Sequence, residues 1–158
     1  MAKGTRATVA AERAGIACKV HEYAHDPSLT DYGDEAVEQL GIDAARVFKT
    51  LVAALSDGRH AVAIVPVAMS LDLKALAATL GAKQATMAEP AHAQRLTGYV
   101  LGGISPLGQK RALPTVLDAT AEPFGTIFVS AGQRGLEIEL APADLVAMTS
   151  AVVAPIGR

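Results

Sequence analysis

Thr97-Gly-Tyr-Val-Leu-Gly-Gly-Ile-Ser-Pro-Leu-Gly-Gln-Lys-Arg-Ala-Leu-Pro114 sets Gly98, Gly102, Gly103 and Gly108 around Pro106 and ends beside Lys110 and Arg111. Glycines at this density allow positive φ and let backbone N–H groups come close to a ligand, while proline fixes the loop's shape. A stiff loop of exposed amides can hold a carbonyl or phosphate oxygen. On glycine content alone, a plain surface turn between two elements explains the segment equally well.

His21-Glu-Tyr-Ala-His25 matches the H-E-x-x-H spacing of zinc proteases. That chemistry needs a helix, which brings both imidazoles to one face with the Glu beside a metal-bound water. Here the run follows an alternating strand pattern and Pro27 comes soon after, so the match reads as chance and no metal is expected. Lys49 stands among the apolar residues of Val47-Phe-Lys-Thr-Leu-Val-Ala-Ala-Leu55. A lysine so placed either snorkels to the surface or projects its ammonium into a cleft. Thr50 points to the opposite face if the strand is regular. Nucleophiles have thin support: Ser105 and Ser130 lie in no nucleophile-elbow motif, and Cys18, on the apolar side of a strand pattern, reads as an inert core residue. Ser130-Ala-Gly-Gln-Arg-Gly135 is a second glycine-rich turn, read as a hairpin loop.

The elements that must position these residues follow from periodicity and punctuation. Thr5 to Ala14 reads as a helix stopped by Gly15, and Ile16, Cys18 and Val20 alternate as a strand that ends before Asp26-Pro27. Asp34 to Leu40 reads as a helix ended by Gly41, with Asp43 able to cap one further turn. Phe48–Leu55 and His60–Val67 pair as strands across Ser56-Asp-Gly-Arg59. Leu71 to Leu80 has helical spacing between a Ser70 cap and Gly81, and Glu89 to Leu96 is a short helix opened by Pro90. Strands are expected at Val116–Asp118, Ile127–Ser130, Leu136–Leu140 and Ala151–Ala154, and a helix at Pro142–Met148. Without a regular βαβ period, the class is α/β or α+β with a strongly curved mixed sheet.

The 158 residues read as one domain, 1–158, with neither repeats nor linkers. Hydrophobic residues reach 51% but aromatics only 4%, so the core must be aliphatic. A formal charge of −2 argues against gripping nucleic acid unaided through a broad basic face. With Cys18 the lone cysteine there is no internal disulfide, and neither a secretory h-region nor a membrane-length apolar run is found, so a cytoplasmic protein is expected.

Taken together, Val47-Phe-Lys-Thr-Leu51, Val67 with Leu71-Asp-Leu-Lys74, Gly102-Gly-Ile-Ser-Pro-Leu-Gly108 and Val129-Ser-Ala-Gly-Gln-Arg-Gly-Leu-Glu-Ile-Glu-Leu140 resemble the YbaK family of aminoacyl-tRNA deacylases, in order and over nearly the whole chain. That family is related to the editing domain inside many bacterial prolyl-tRNA synthetases, and His21-Glu-Tyr-Ala-His-Asp-Pro27 fits it too. The resemblance implies a curved, partly barrel-like mixed β-sheet flanked by short helices. It implies removal of a wrongly attached amino acid, typically cysteine, from tRNA for proline, in transient company with prolyl-tRNA synthetase and without a cofactor. Lys49 matches the family's essential lysine and Thr50 its neighbour; Tyr23 and Tyr32 match pocket aromatics, and Ser130 a pocket serine. Gly102 and Pro106 match a Gly-x-x-x-Pro loop that faces the aminoacyl ester, which makes Gly103, Ile104 and Ser105 site residues as well. Glu137 stands where close relatives carry Asp, so its carboxylate is displaced by one methylene.

The chemistry fits these residues: amides of Gly102 and Gly103 can stabilise charge on the ester carbonyl, and Lys49 can hold a phosphate or the leaving 3′-oxygen. No protein nucleophile is then needed, and the substrate's own thiol or water attacks. The rival readings are a zinc hydrolase on His21, Glu22 and His25, a non-catalytic module binding tRNA ends or a synthetase, and, within the family, editing of alanine or another small residue.

Overall fold

The computed structural model describes residues 4–158; residues 1–3, part of the N-terminal stretch read above, lie outside the described residues. Helix α1 (Arg6–Ala14) begins with a reciprocal cap: the Thr8 amide donates to Thr5 Oγ1 at 3.1 Å and the Thr5 amide to Thr8 Oγ1 at 2.9 Å. Thr5 Oγ1 also donates to the Ala131 carbonyl at 2.6 Å, tying the helix start to a core strand. Gly15, at φ 68°, closes the helix.

The expected curved mixed sheet is present in two parts. Strands β1 (Cys18–Glu22), β7 (Leu136–Leu140) and β6 (Ile127–Gln133) form an antiparallel sheet in that order. The larger sheet runs β4 (Ala85–Met87), β2 (Phe48–Leu55), β3 (His60–Pro66), β5 (Thr115–Asp118) and β8 (Val152–Ala154), with β3–β5 and β5–β8 parallel. A bridge between Val47 and Phe128 carries one sheet into the other at the foot of β2. Helices α2 (Tyr32–Leu40), α3 (Leu73–Thr79), α4 (Pro90–Thr97) and α5 (Pro142–Thr149) complete the chain.

Alternation along β2 divides the core. Phe48 and Val52 join Ile64, Leu117, Val129 and Ile138 in one cluster, while Ala53 joins Val65 and Leu76 in the other, with Leu51 packed against it. Every residue of β5 is buried, as parallel pairing on both edges requires. Asp118 at its end accepts from the amides of Ile156 at 2.9 Å and Gly157 at 2.8 Å, which fastens the C-terminus.

Three expectations are corrected and one element is added. Helix α3 is capped by Asp72, whose carboxylate accepts from the Ala75 amide at 3.1 Å, because the backbone of Ser70 is committed to Arg158 and Leu71 pairs with Gly157. Strand β4 was not foreseen; three residues are too few to show a period. The run from Ser130 is not all turn, since β6 continues to Gln133 through a register shift against β7. Cys18 is exposed: it opens an edge strand, and of its alternation only Ile16 and Val20 pack on the core.

Candidate active site

A cavity of about 330 Å³ opens between the first half of β2, the start of α2 and the 101–104 loop. Tyr23, Tyr32, Lys49, Thr50, Gly102, Ile104, Ser130 and Glu137 all line it. Lys49, opposite Val65 on β3, is half-buried, and its ammonium has no hydrogen-bond or ion-pair partner among the described residues. Through space it draws the Asp34 carboxyl downward, although a hydrogen bond shared with Asp31 holds that group above its ordinary value. Thr50 Oγ1 is buried without a partner, the single such side-chain atom among the described residues. An orphaned hydroxyl costs about 1–3 kcal/mol unless a ligand or water satisfies it.

Glu137 sits on β7 between Ser130 of β6 and His21 of β1. The residue is buried but its carboxyl oxygens are not fully enclosed; they accept no hydrogen bond among the described residues, and desolvation pushes the pKa up to about 8. Tyr23 is held at about 12, by burial first and then by the charges of Glu137 and Glu35. Ser130 Oγ accepts from the Gly132 amide at 3.2 Å where the register of β6 shifts, and such a bulge re-aims a strand.

The glycine-rich loop divides its work. Gly102 adopts φ +83°, and a Cβ there would stand 2.5 Å from the Tyr32 ring. The amides of Gly102 and Ile104 have no partner among the described residues. The Gly103 amide, in contrast, donates to the Val100 carbonyl at 2.9 Å, and a Cβ on Gly103 would meet Gln133 Cα at 2.9 Å. Gly103 therefore lets the loop lie against β6 and its amide is already committed, whereas the amides of Gly102 and Ile104 are not. Ser105 and Pro106 also stand off the cavity. Ser105 is fully buried, its Oγ accepting from the Leu107 amide at 3.2 Å. Buried Pro106 borders a separate cavity with Thr115 and Met148. The H-E-x-x-H run leaves β1 after Glu22, and its two imidazoles diverge: His21 Nε2 bonds Glu139 at 2.9 Å and His25 Nδ1 bonds Glu35 at 2.6 Å.

Residues 26–148 match the model of the aminoacyl-tRNA editing domain. The chain belongs to the aminoacyl-tRNA editing family. Its activity class is accordingly cleavage of the ester that joins an amino acid to tRNA. Over 123 residues, 78% of this chain and 75% of the other, it is 41% identical to EbsC of Enterococcus faecalis, named as a candidate Cys-tRNA(Pro)/Cys-tRNA(Cys) deacylase. Over 87 residues it is 34% identical to the Escherichia coli K12 multifunctional Ser/Thr-tRNA deacylase ProXp-y, covering 54% of this chain and 52% of that one. A solved structure described as a candidate trans-editing enzyme for prolyl tRNA synthetase superposes with a TM-score of 0.84 at 27% identity, covering 97% and 95% of the two chains. The hypothetical protein APE2540, at a TM-score of 0.86 and 22% identity, shares the fold.

Within this editing domain the sequence reading missed the residues that hold the mouth of the cavity. Gly33 lets α2 approach the end of β3, since a Cβ there would stand 2.4 Å from Val67 Cγ1. Buried Glu35 fastens the loop before α2 by accepting from His25 and from the Asp26 amide at 2.8 Å. Arg134 lies over Tyr32 at 4.7 Å from the ring centroid. Gly33 beside a helix start was a readable sign of close packing; the other two depend on contacts across the fold.

Proposed function

We propose that this chain is a trans-editing deacylase that removes cysteine from mischarged tRNA for proline. The observation that carries the reading is a pocket holding an unpaired ammonium, two unpartnered amides and a buried carboxyl, with neither Cys18 nor Ser105 in reach. The terminal ribose ester enters the cavity, whose size suits a small aminoacyl group on a sugar. Glu137 faces the substrate's α-ammonium, whose charge draws the proton off the buried carboxyl. The amides of Gly102 and Ile104 meet the carbonyl oxygen as it gains charge. The substrate's own thiolate attacks its carbonyl carbon; the C–S bond forms, the ester C–O bond breaks, and the 3′-oxygen leaves with a proton beside Lys49.

The Enterococcus relative and the similarity to a candidate trans-editing enzyme for prolyl tRNA synthetase support cysteine and tRNA for proline. A transient complex with prolyl-tRNA synthetase in the cytoplasm belongs to the same proposal, since a chain of net charge −2 needs help to hold a whole tRNA. Among the described residues no helix is long and apolar enough to cross a membrane. A hydroxyl amino acid is the second reading, favoured by the unpartnered Thr50 hydroxyl and by the Escherichia coli relative. Initial rates on tRNA for proline charged with cysteine, alanine or serine test the proposal: cysteine should be fastest, and a faster rate on serine would move the assignment to the second reading.

A further inference from the structure

Arg134 is exposed, yet its guanidinium is held in place. One face lies over the Tyr32 ring at 4.7 Å, and Nε donates to the Leu101 carbonyl at 2.9 Å. Tyr32 is itself backed by Gly102 and has its ring centroid 5.8 Å from that of His25, so the stack rests on a packed wall. No carboxylate pairs with Arg134 among the described residues. Beside it the loop apex exposes two large apolar side chains, Val100 at 54% and Leu101 at 39%, and Leu101 continues into the cavity wall. A fixed cationic plane flanked by bare aliphatic groups suits a flat, polarisable, anion-linked partner better than it suits water.

The family's substrate is an ester on an RNA end, and Leu101 places this rim at one side of the cavity that would receive it. We propose that Arg134, with Val100 and Leu101, is a stacking platform for the unpaired nucleobase next to the esterified nucleotide. Arginine planes and apolar side chains stack on any base, so the platform adds grip on the single-stranded end without reading its sequence. A guanidinium presenting only its edge to a phosphate would act as a charge, which lysine can replace; a stacked plane cannot be replaced so.

The inference rests on the deacylase reading for its ligand, and its test separates the two. An uncharged oligoribonucleotide with the acceptor 3′ sequence carries 2-aminopurine at the penultimate position, and fluorescence reports both binding and stacking. The wild-type protein should quench the probe. Arg134→Lys should raise Kd about tenfold, the order expected for one stacked base, and abolish the quench. Val100→Ser should weaken binding in the same direction. Cleavage of an aminoacyl ester of adenosine alone, which has no penultimate base, should be the same for wild type and Val100→Ser, whose side chain lies outside the cavity lining. Unchanged affinity and quench in Arg134→Lys would overturn the platform, and so would a Val100→Ser variant that slows the adenosine ester as much as it weakens the probe, which would make the loop apex part of the pocket wall. If the wild type quenches the probe but cleaves no charged tRNA, the platform stands and the deacylase reading falls.

Discussion

Gly102 and Tyr32 touch so closely that no side chain fits between them: a Cβ on Gly102 would stand 2.5 Å from the ring. The contact joins the start of α2 to the glycine-rich loop that carries the unpartnered amides of Gly102 and Ile104. One wall of the pocket thus rests on the other.

Gly102→Ala should therefore damage catalysis beyond its cost to the fold. Alanine at φ +83° is strained, and Tyr32 must move to admit the methyl group, together about 1–3 kcal/mol of stability. Displaced amides should lower kcat about 10- to 100-fold. Adding Tyr32→Leu makes room and should recover part of kcat; a double variant slower than the single one would refute this coupling.

Lys49→Ala should lower deacylation by about 10²-fold while thermal unfolding stays near wild type, because the unpaired ammonium contributes charge to the site and little to the fold. Lys49→Arg should also be poor, since a planar fork cannot stand in for a compact ammonium in a tight cavity. Near-normal rates in the alanine variant would remove Lys49 from the mechanism.

Glu137 makes a pH prediction. Burial raises its pKa from 4.5 to about 8, so between those values the folded protein keeps a proton that the unfolded chain has lost. Stability is then fully present below about 4.5 and falls as pH rises towards 8. Glu137→Gln, which stays neutral, should flatten this slope in melting temperature between pH 5 and 8, read as about those limits. It should also raise KM more than it lowers kcat if the carboxylate meets the α-ammonium. An unchanged slope would mean that another group sets it.

How much of this was legible in the sequence depended on the range of the cause. Strands β2 and β3, the helix stop at Gly15 and the cap at Asp43 are written in neighbouring residues, and the structure agrees. Lys49 left two readings open because its surroundings come from α2 and the 101–104 loop, distant in sequence. The glycine-rich loop drew attention for the right composition, yet composition could not say which amide was already bonded; only the turn to Val100 shows that Gly103 is spent and Ile104 is free. Cys18 was misplaced because alternation gives a strand's two faces but not whether a layer covers its first residue.

The last prediction concerns the attacking atom. Cys18 is exposed on the edge strand β1 and does not line the cavity, so Cys18→Ser should keep full activity. Ser130 is in the wall, but its Oγ accepts from the Gly132 amide and is hydrogen-bonded to no base among the described residues, so Ser130→Ala should retain measurable turnover. The substrate's thiol has a pKa of about 8.5, which gives a useful thiolate fraction near neutrality, whereas a serine hydroxyl stays protonated. The ring formed by attack on the neighbouring carbonyl is strained, but fixed proximity offsets part of that barrier. Cysteine-charged tRNA should accordingly be cleaved far faster than serine-charged tRNA of nearly the same shape, and its rate should rise with pH as the thiol ionises. Equal rates on the two substrates, with no difference in their pH profiles, would show that water attacks and that the protein selects by fit alone.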